Sequence, residues 1–206
     1  MSSELTFHHR YQAPIAGSHR TLLVLHGTGG DENSLFPIAS VLDPNAGVLS
    51  VRGKVLENGA PRFFRRIEEG VFDMEDLHFR TQELAAFLKN ASAAYSFDLK
   101  HLFAAGYSNG ANIASSLLFS RPEVLAGAIL FRAMVPFEPD DTLDLTGKHV
   151  LISEGKYDPI VPLEDADLLA VHFQDHGADV TLRWTELDHR LGRDEINRAS
   201  EWLADR

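Results

Sequence analysis

Five short runs that are apolar at nearly every position alternate along this chain with segments of helical period. The runs are Thr21–His26, Gly47–Val51, His101–Tyr107, Ala126–Phe131 and Val150–Ser153. A strand that is apolar on both faces needs cover on both faces, as central strands of a parallel sheet have between layers of helices. Near the end, Val180, Leu182 and Trp184 alternate with Asp179, Thr181 and Arg183. That period of two predicts a half-exposed strand nearer an edge. Between the strands, Asp73 can cap a helix carrying Leu77, Leu84, Leu88, Ala91 and Tyr95 on one stripe. Asn109–Ser120 is rich in Ala, Ile and Leu, and Arg193–Ala204 offers Ile196, Ala199 and Leu203 as an amphipathic stripe. Pro162 suits the first turn of a helix that starts near Leu163 and stops by Gly177. The pattern predicts an α/β fold: a mostly parallel central sheet with helices on both faces. The 206 residues contain no repeat, low-complexity tract or obvious linker, so residues 1–206 read as one domain.

Acidic residues number 30 against 19 basic ones, a net charge of −11. Such a balance argues against nucleic acid or an anionic membrane as partner. The only dense basic cluster is Arg62, Arg65 and Arg66. Cysteine is absent, which removes disulfides, thiolate metal sites and any cysteine nucleophile. Met1-Ser2-Ser3-Glu4 lacks the basic and apolar regions of a signal peptide. Arg132 interrupts the longest apolar run far short of the roughly 20 residues a membrane span needs. The expectation is a soluble protein of a reducing compartment, the cytoplasm.

In α/β sheets, sites gather beyond the carboxyl ends of the strands. Gly106-Tyr107-Ser108-Asn109-Gly110 follows one predicted strand and opens a predicted helix. It fits Gly-x-Ser-x-Gly, a strained turn that exposes a serine Oγ and leaves no room for side chains two residues to either side. The plainer alternative is an ordinary glycine-flanked turn. A serine needs a base and a group that orients the base, in the chain order Ser, acid, His. Asp158 follows the Val150–Ser153 strand in a loop with Pro159 and Pro162, although it could equally be a helix-entry aspartate. Its rivals Asp144, Asp165 and Asp167 fall before that strand or inside a helix. His189 lies between the last strand and the last helix and is the only histidine after Gly177. His172 and His176 are four apart and could share a metal, but no third ligand is evident, so no metal site is assigned.

A second strand-end motif is His26-Gly27-Thr28-Gly29-Gly30-Asp31-Glu32. Its backbone N–H at Thr28, with that of Asn109, could form an oxyanion hole. A nucleotide is the rival for a glycine loop, but neither Gly-Lys-Ser/Thr nor Gly-x-Gly-x-x-Gly is present.

These motifs, with the Gly110-Ala111-Asn112-Ile113-Ala114 extension and Asp158-Pro159-Ile160-Val161-Pro162, resemble the phospholipase/carboxylesterase family of α/β hydrolases. That family includes acyl-protein-thioesterase-like enzymes. Arg52-Gly53, Arg62-Phe63-Phe64-Arg65-Arg66 and Gly70-Val71-Phe72-Asp73 are similar to its small bacterial carboxylesterases linked to quinone or hydroquinone resistance. The resemblance spans about Thr21 to Leu203. It implies Ser108 as nucleophile, Asp158 and His189 as its partners, and Thr28 and Asn109 as oxyanion donors. It implies a compact α/β-hydrolase fold with no separate lid domain, and it allows a homodimer. One departure is Asp188, where the family usually has glycine before the histidine.

The expected function is a serine carboxylesterase that acts on a small-molecule ester and needs no metal or organic cofactor. Thioesters, lysophospholipids and lactones are alternative substrates for the same triad. A non-catalytic ligand-binding protein is a more distant alternative. The loop after Val51 should leave the sheet on the side of Ser108, as should Met134 after the Ala126–Phe131 strand. Phe63, Phe64 and Met134 are therefore expected to wall a shallow pocket, unless the phenylalanines anchor their loop to the core instead.

Overall fold

A computed structural model describes residues 5–206. The reading of Met1–Glu4 as lacking a signal sequence lies outside the described residues. In chain order the strands are β1 (His9–Gln12), β2 (Thr21–Leu25), β3 (Gly47–Val51), β4 (Val55–Glu57), β5 (Ala60–Arg62), β6 (Arg66–Glu68), β7 (Val71–Phe72), β8 (Leu102–Tyr107), β9 (Gly127–Phe131), β10 (His149–Gly155) and β11 (Asp179–Thr185). The helices are α1 (Phe36–Leu42), α2 (Met74–Tyr95), α3 (Asn109–Ser120), α4 (Leu163–Asp175) and α5 (Arg193–Ala204).

Seven strands form one sheet in the order β1-β3-β2-β8-β9-β10-β11. Every pairing is parallel except that of β1 with β3. Alternate residues of each strand enter opposite layers, as the pleat requires. Leu23 and Leu25 of β2 join the layer that contains Leu84 of α2, Leu117 of α3 and Phe173 of α4. Leu22 and Val24 join the layer with Leu42 of α1 and Trp202 and Leu203 of α5. This two-sided burial is why the central strands carry no polar face, and it bears out the α/β expectation. β11 is an edge strand, as its alternating pattern predicts.

Local chemistry sets the helix ends. The Asp73 side chain accepts the Asp76 N–H at the start of α2. Past the end of α4, Gly177 adopts φ +90°, a conformation glycine takes without penalty. The chain after Val51, expected as a loop, instead forms two hairpins, β4–β5 and β6–β7. Their strands have only two or three residues, too short for a periodic signal. Among the described residues, no helix is long and apolar enough to cross a membrane.

The chain runs from β2 to β3 on one side and later places β8 on the other side of β2. The order reverses there, and a crevice opens beyond the carboxyl ends of β2 and β8.

Candidate active site

Ser108 sits between β8 and α3 with φ +52° and ψ −117°. A non-glycine residue holds such a conformation only where its surroundings impose it. Here the Ser108 N–H donates to Phe131 O at 2.8 Å, and Ser108 O accepts the Asn112 N–H at 2.9 Å. The flanking glycines allow the close approach: a Cβ on Gly106 would lie 2.6 Å from Gly110 O, and one on Gly110 would lie 2.1 Å from Leu25 O.

Asp158 follows β10 in a tight turn. Its Oδ1 accepts the N–H groups of Ile160 and Val161 at 2.8 and 3.2 Å. Its Oδ2 faces His189 Nδ1 at 2.7 Å. The carboxylate is therefore fully used, and only 1% of the side chain is exposed. An Nδ1–H that donates to Asp158 leaves His189 Nε2 as an acceptor, and Ser108 Oγ lies 3.0 Å from it. Residues 108, 158 and 189 thus come together as one hydrogen-bonded relay.

Thr28, after β2, and Asn109, at the start of α3, line the same cavity as Ser108 and His189, a space of about 290 Å³. The glycine loop of Thr28 is braced from two sides. Gly29 N–H donates to Pro61 O at 2.9 Å, and Arg62 Nη1 donates to Thr28 Oγ1 at 2.7 Å. Asn109 Oδ1 in turn accepts the Phe63 N–H at 2.7 Å.

The chain matches no family model. It is 46% identical over 185 residues to "Putative hydrolase MhqD" of Bacillus subtilis (strain 168), a match covering 90% of this chain and 92% of the relative. A Bacillus cereus carboxylesterase of known structure is 47% identical, superposes with a TM-score of 0.95, and is matched over 97% of this chain and 94% of its own. The chain belongs to the phospholipase/carboxylesterase family of α/β hydrolases. A Mesorhizobium loti carboxylesterase, 30% identical with a TM-score of 0.92, matches 99% of this chain and 97% of its own.

In this family member one expectation needs correction. Phe63 and Phe64 are 2% and 0% exposed and belong to the core beneath the site. They do not line the cavity, whose apolar wall is Met134, Phe72 and Ile160. Phe63 packs on the His26 ring at 4.7 Å, and Phe64 meets Phe72 edge-on at 5.1 Å. Burying each ring removes a large apolar area from water, so the rings turn inward and their loop follows. The arginines beside them do not form a free cationic patch. Arg65 pairs with Asp73 at 2.9 Å, and Glu57 serves both Arg66 at 2.9 Å and Arg62 at 3.2 Å.

The departure at Asp188 leaves the His189 ring untouched. Its carboxylate binds the Arg190 N–H and Nε at 2.9 and 3.0 Å, and that pair holds the Asp188 carboxyl below its ordinary range. The more distant histidines serve helix ends and loops. His176 Nδ1 contacts His172 O at 2.7 Å at the end of α4. His26 is buried, with Nδ1 2.7 Å from Gly27 O and Nε2 accepting the Gly53 N–H at 3.0 Å. Burial holds its imidazole below the ordinary range, so it stays neutral as a brace for the glycine loop.

Sequence reasoning passed over Arg132, Glu154 and Glu195, all nearly or fully buried beside the relay. The available signal was Arg132 itself, a charge set at the carboxyl end of an apolar strand. Glu154 Oε1 accepts the Ala133 N–H at 2.6 Å, while Oε2 is buried with no partner among the described residues. Burial, above all, pushes its carboxyl well above the ordinary range. The folded chain therefore keeps a proton that the unfolded chain releases at about pH 4.3, so this group makes stability fall as pH rises. Glu154→Gln removes that dependence. Its melting temperature relative to the parent should increase between about pH 4 and about pH 8. A difference that stays flat across that range in thermal melts would show Glu154 to be ionised in the fold.

Proposed function

We propose that this chain is a serine esterase that hydrolyses short-chain or aromatic carboxylic esters through an acyl-enzyme on Ser108. The observation that carries the reading is the unbroken relay from Asp158 Oδ2 through His189 to Ser108 Oγ, with contacts of 2.7 and 3.0 Å. His189 Nε2 takes the hydroxyl proton as Oγ attacks the ester carbonyl. Asp158 holds the imidazole in the required tautomer and stabilises its charged form. The backbone N–H groups of Thr28 and Asn109 receive the developing oxyanion. The same imidazolium returns its proton to the departing alcohol. Water then attacks the acyl carbonyl with His189 again as base, releasing the acid and restoring Ser108. No step calls on a metal or organic cofactor. The reading takes residues 1–206 as one hydrolase domain, acting in the cytoplasm on a small-molecule ester.

Labelling with a fluorophosphonate, followed by mass spectrometry, tests the nucleophile. The adduct is expected on Ser108. An adduct on another serine, or none under conditions that label a control esterase, would return the chain to the ligand-binding reading.

The small cavity supports the substrate class. Met134, Phe72 and Ile160 offer apolar cover for only a few methylenes, each worth about 0.8 kcal/mol. Across para-nitrophenyl esters of increasing acyl length, kcat/KM should peak early and then fall. Met134→Ala, Phe72→Ala and Ile160→Ala should alter that profile, whereas a steady rise through long chains in the parent would remove the shallow pocket.

A further inference from the structure

The segment Leu187–Arg190 carries His189 but belongs to no helix or strand. Its four consecutive carbonyls are nevertheless all bonded. Leu187 O accepts the Tyr157 N–H at 3.0 Å, and His189 O accepts the Tyr107 hydroxyl at 3.0 Å. The other two, Asp188 O and Arg190 O, accept from one side chain, Arg132, through Nε at 3.0 Å and Nη2 at 2.8 Å.

Arg132 follows β9 with φ +58°, a strained conformation for a bulky residue, and is 0% exposed. Glu195 of α5 holds its guanidinium with both oxygens, Oε1 at 2.5 Å from Nη1 and Oε2 at 3.0 Å from Nη2. Nη1 also donates to Ser153 O at 3.0 Å. The same glutamate accepts the Ser153 hydroxyl at 2.6 Å and the Gly192 N–H at 3.2 Å. One buried ion pair thus joins β9, β10, α5 and the backbone on either side of His189. Its Nε lies 3.9 Å from Asp158 Oδ2, beside the relay but outside the cavity. Net stability does not account for such a pair, because well-packed apolar side chains of similar volume commonly serve a fold as well or better. Its geometry does: a rigid planar fork can fix two carbonyls at once in a way no flexible side chain can.

We propose that Arg132, held by Glu195, is a positioning residue for hydrolysis: it fixes the backbone on both sides of His189 and so keeps the imidazole in line between Asp158 and Ser108. The proposal rests on the reading of His189 as the base. Arg132 touches no reacting atom and acts through the histidine.

The test compares Arg132→Lys, the double variant Arg132→Met/Glu195→Met, His189→Ala, and each Arg132 variant combined with His189→Ala. The double variant leaves neither charge buried alone, but it frees Asp188 O, Arg190 O, Ser153 O, the Ser153 hydroxyl and the Gly192 N–H from these bonds. Its melting temperature should therefore fall, and its kinetics are measured where circular dichroism shows it folded. Its kcat for para-nitrophenyl acetate should nevertheless fall about 100-fold with KM within about threefold, since misplacing a catalytic group by about 1 Å costs that much. Arg132→Lys keeps the charge for Glu195 but reaches only one carbonyl, and about tenfold is expected there. In the His189→Ala background neither change should lower the residual activity further. The proton NMR signal of His189 Nδ1–H should broaden in both variants while the fold is retained. A folded double variant, or a folded Arg132→Lys should the double fail to fold, with kcat within about threefold of the parent would overturn the proposal. So would losses that persist in full without His189. If His189→Ala itself kept near-parent activity, the assignment of the base would fall first, and that result is distinct from the others.

Discussion

Replacing Ser108 by Ala should lower kcat by roughly 10⁴–10⁶-fold, and replacing His189 by Ala should do comparable damage, because in the proposed mechanism the two act as a unit. The double replacement is then little worse than either single one. The geometry behind this expectation is the 3.0 Å contact between Ser108 Oγ and His189 Nε2. With the hydroxyl gone there is no proton for the imidazole to accept; with the imidazole gone the hydroxyl stays a poor nucleophile. The proposed oxyanion donors and the cavity would remain in each case and would supply the residual rate. Steady-state kinetics on para-nitrophenyl acetate for the two single variants and the double measures the coupling. Losses that multiplied across the pair would mean that Ser108 and His189 work in separate steps. His176→Ala is the control: that ring is tied to the end of α4, and its loss should leave kcat within a few-fold.

Gly110→Ala should damage both fold and activity, although helix propensity alone favours alanine inside α3 by roughly 1 kcal/mol. The new Cβ would stand 2.1 Å from Leu25 O and 2.6 Å from His26 O, both backbone atoms at the carboxyl end of β2. Neither can move without shifting the strand or the first turn of α3. Overpacking of this kind typically costs about 1–3 kcal/mol, and backbone on both sides puts this case at or above the upper end. In a chain of this length about 3 kcal/mol corresponds to a melting temperature lower by about 6–12 °C. Ser108 lies two residues away and moves with the turn, so kcat should also fall about 100-fold. Gly147→Ala is the comparison: φ is +80° there, but nothing lies within 4 Å of the new Cβ, so only conformational strain of about 1 kcal/mol should register. Thermal melts and kinetics on both variants check the pair. A Gly110→Ala protein as stable as the Gly147→Ala one would show that β2 and α3 do not approach this closely.

The parts legible in the sequence are those whose chemistry is local. The strand runs are apolar because both faces are covered, and β11 alternates because it lies at an edge. Glycines at 106 and 110 follow from a turn that admits no side chain. Asp158 and His189 stood out by lying just past strand-length runs, where a parallel sheet opens its crevice. Phe63 and Phe64 misled because their place in the chain, past the end of β3, is also where a pocket wall would stand. Whether such a ring faces the cavity or the core is decided by what packs around it, here His26 and Phe72.

The order of strands and helices, the strained serine turn and the chain positions of an acid and a histidine are written in residue types and spacing, because backbone sterics and the period of apolar residues act over a few neighbours. The 2.7 and 3.0 Å contacts that join those positions span 31 and 81 residues of chain. The clamp of Arg132 on Asp188 O and Arg190 O spans 56 and 58. Contacts of that reach exist only once the sheet has assembled. A buried guanidinium then takes whichever carbonyls the assembled chain brings within hydrogen-bonding distance, because leaving its donors unpaired away from water would cost too much.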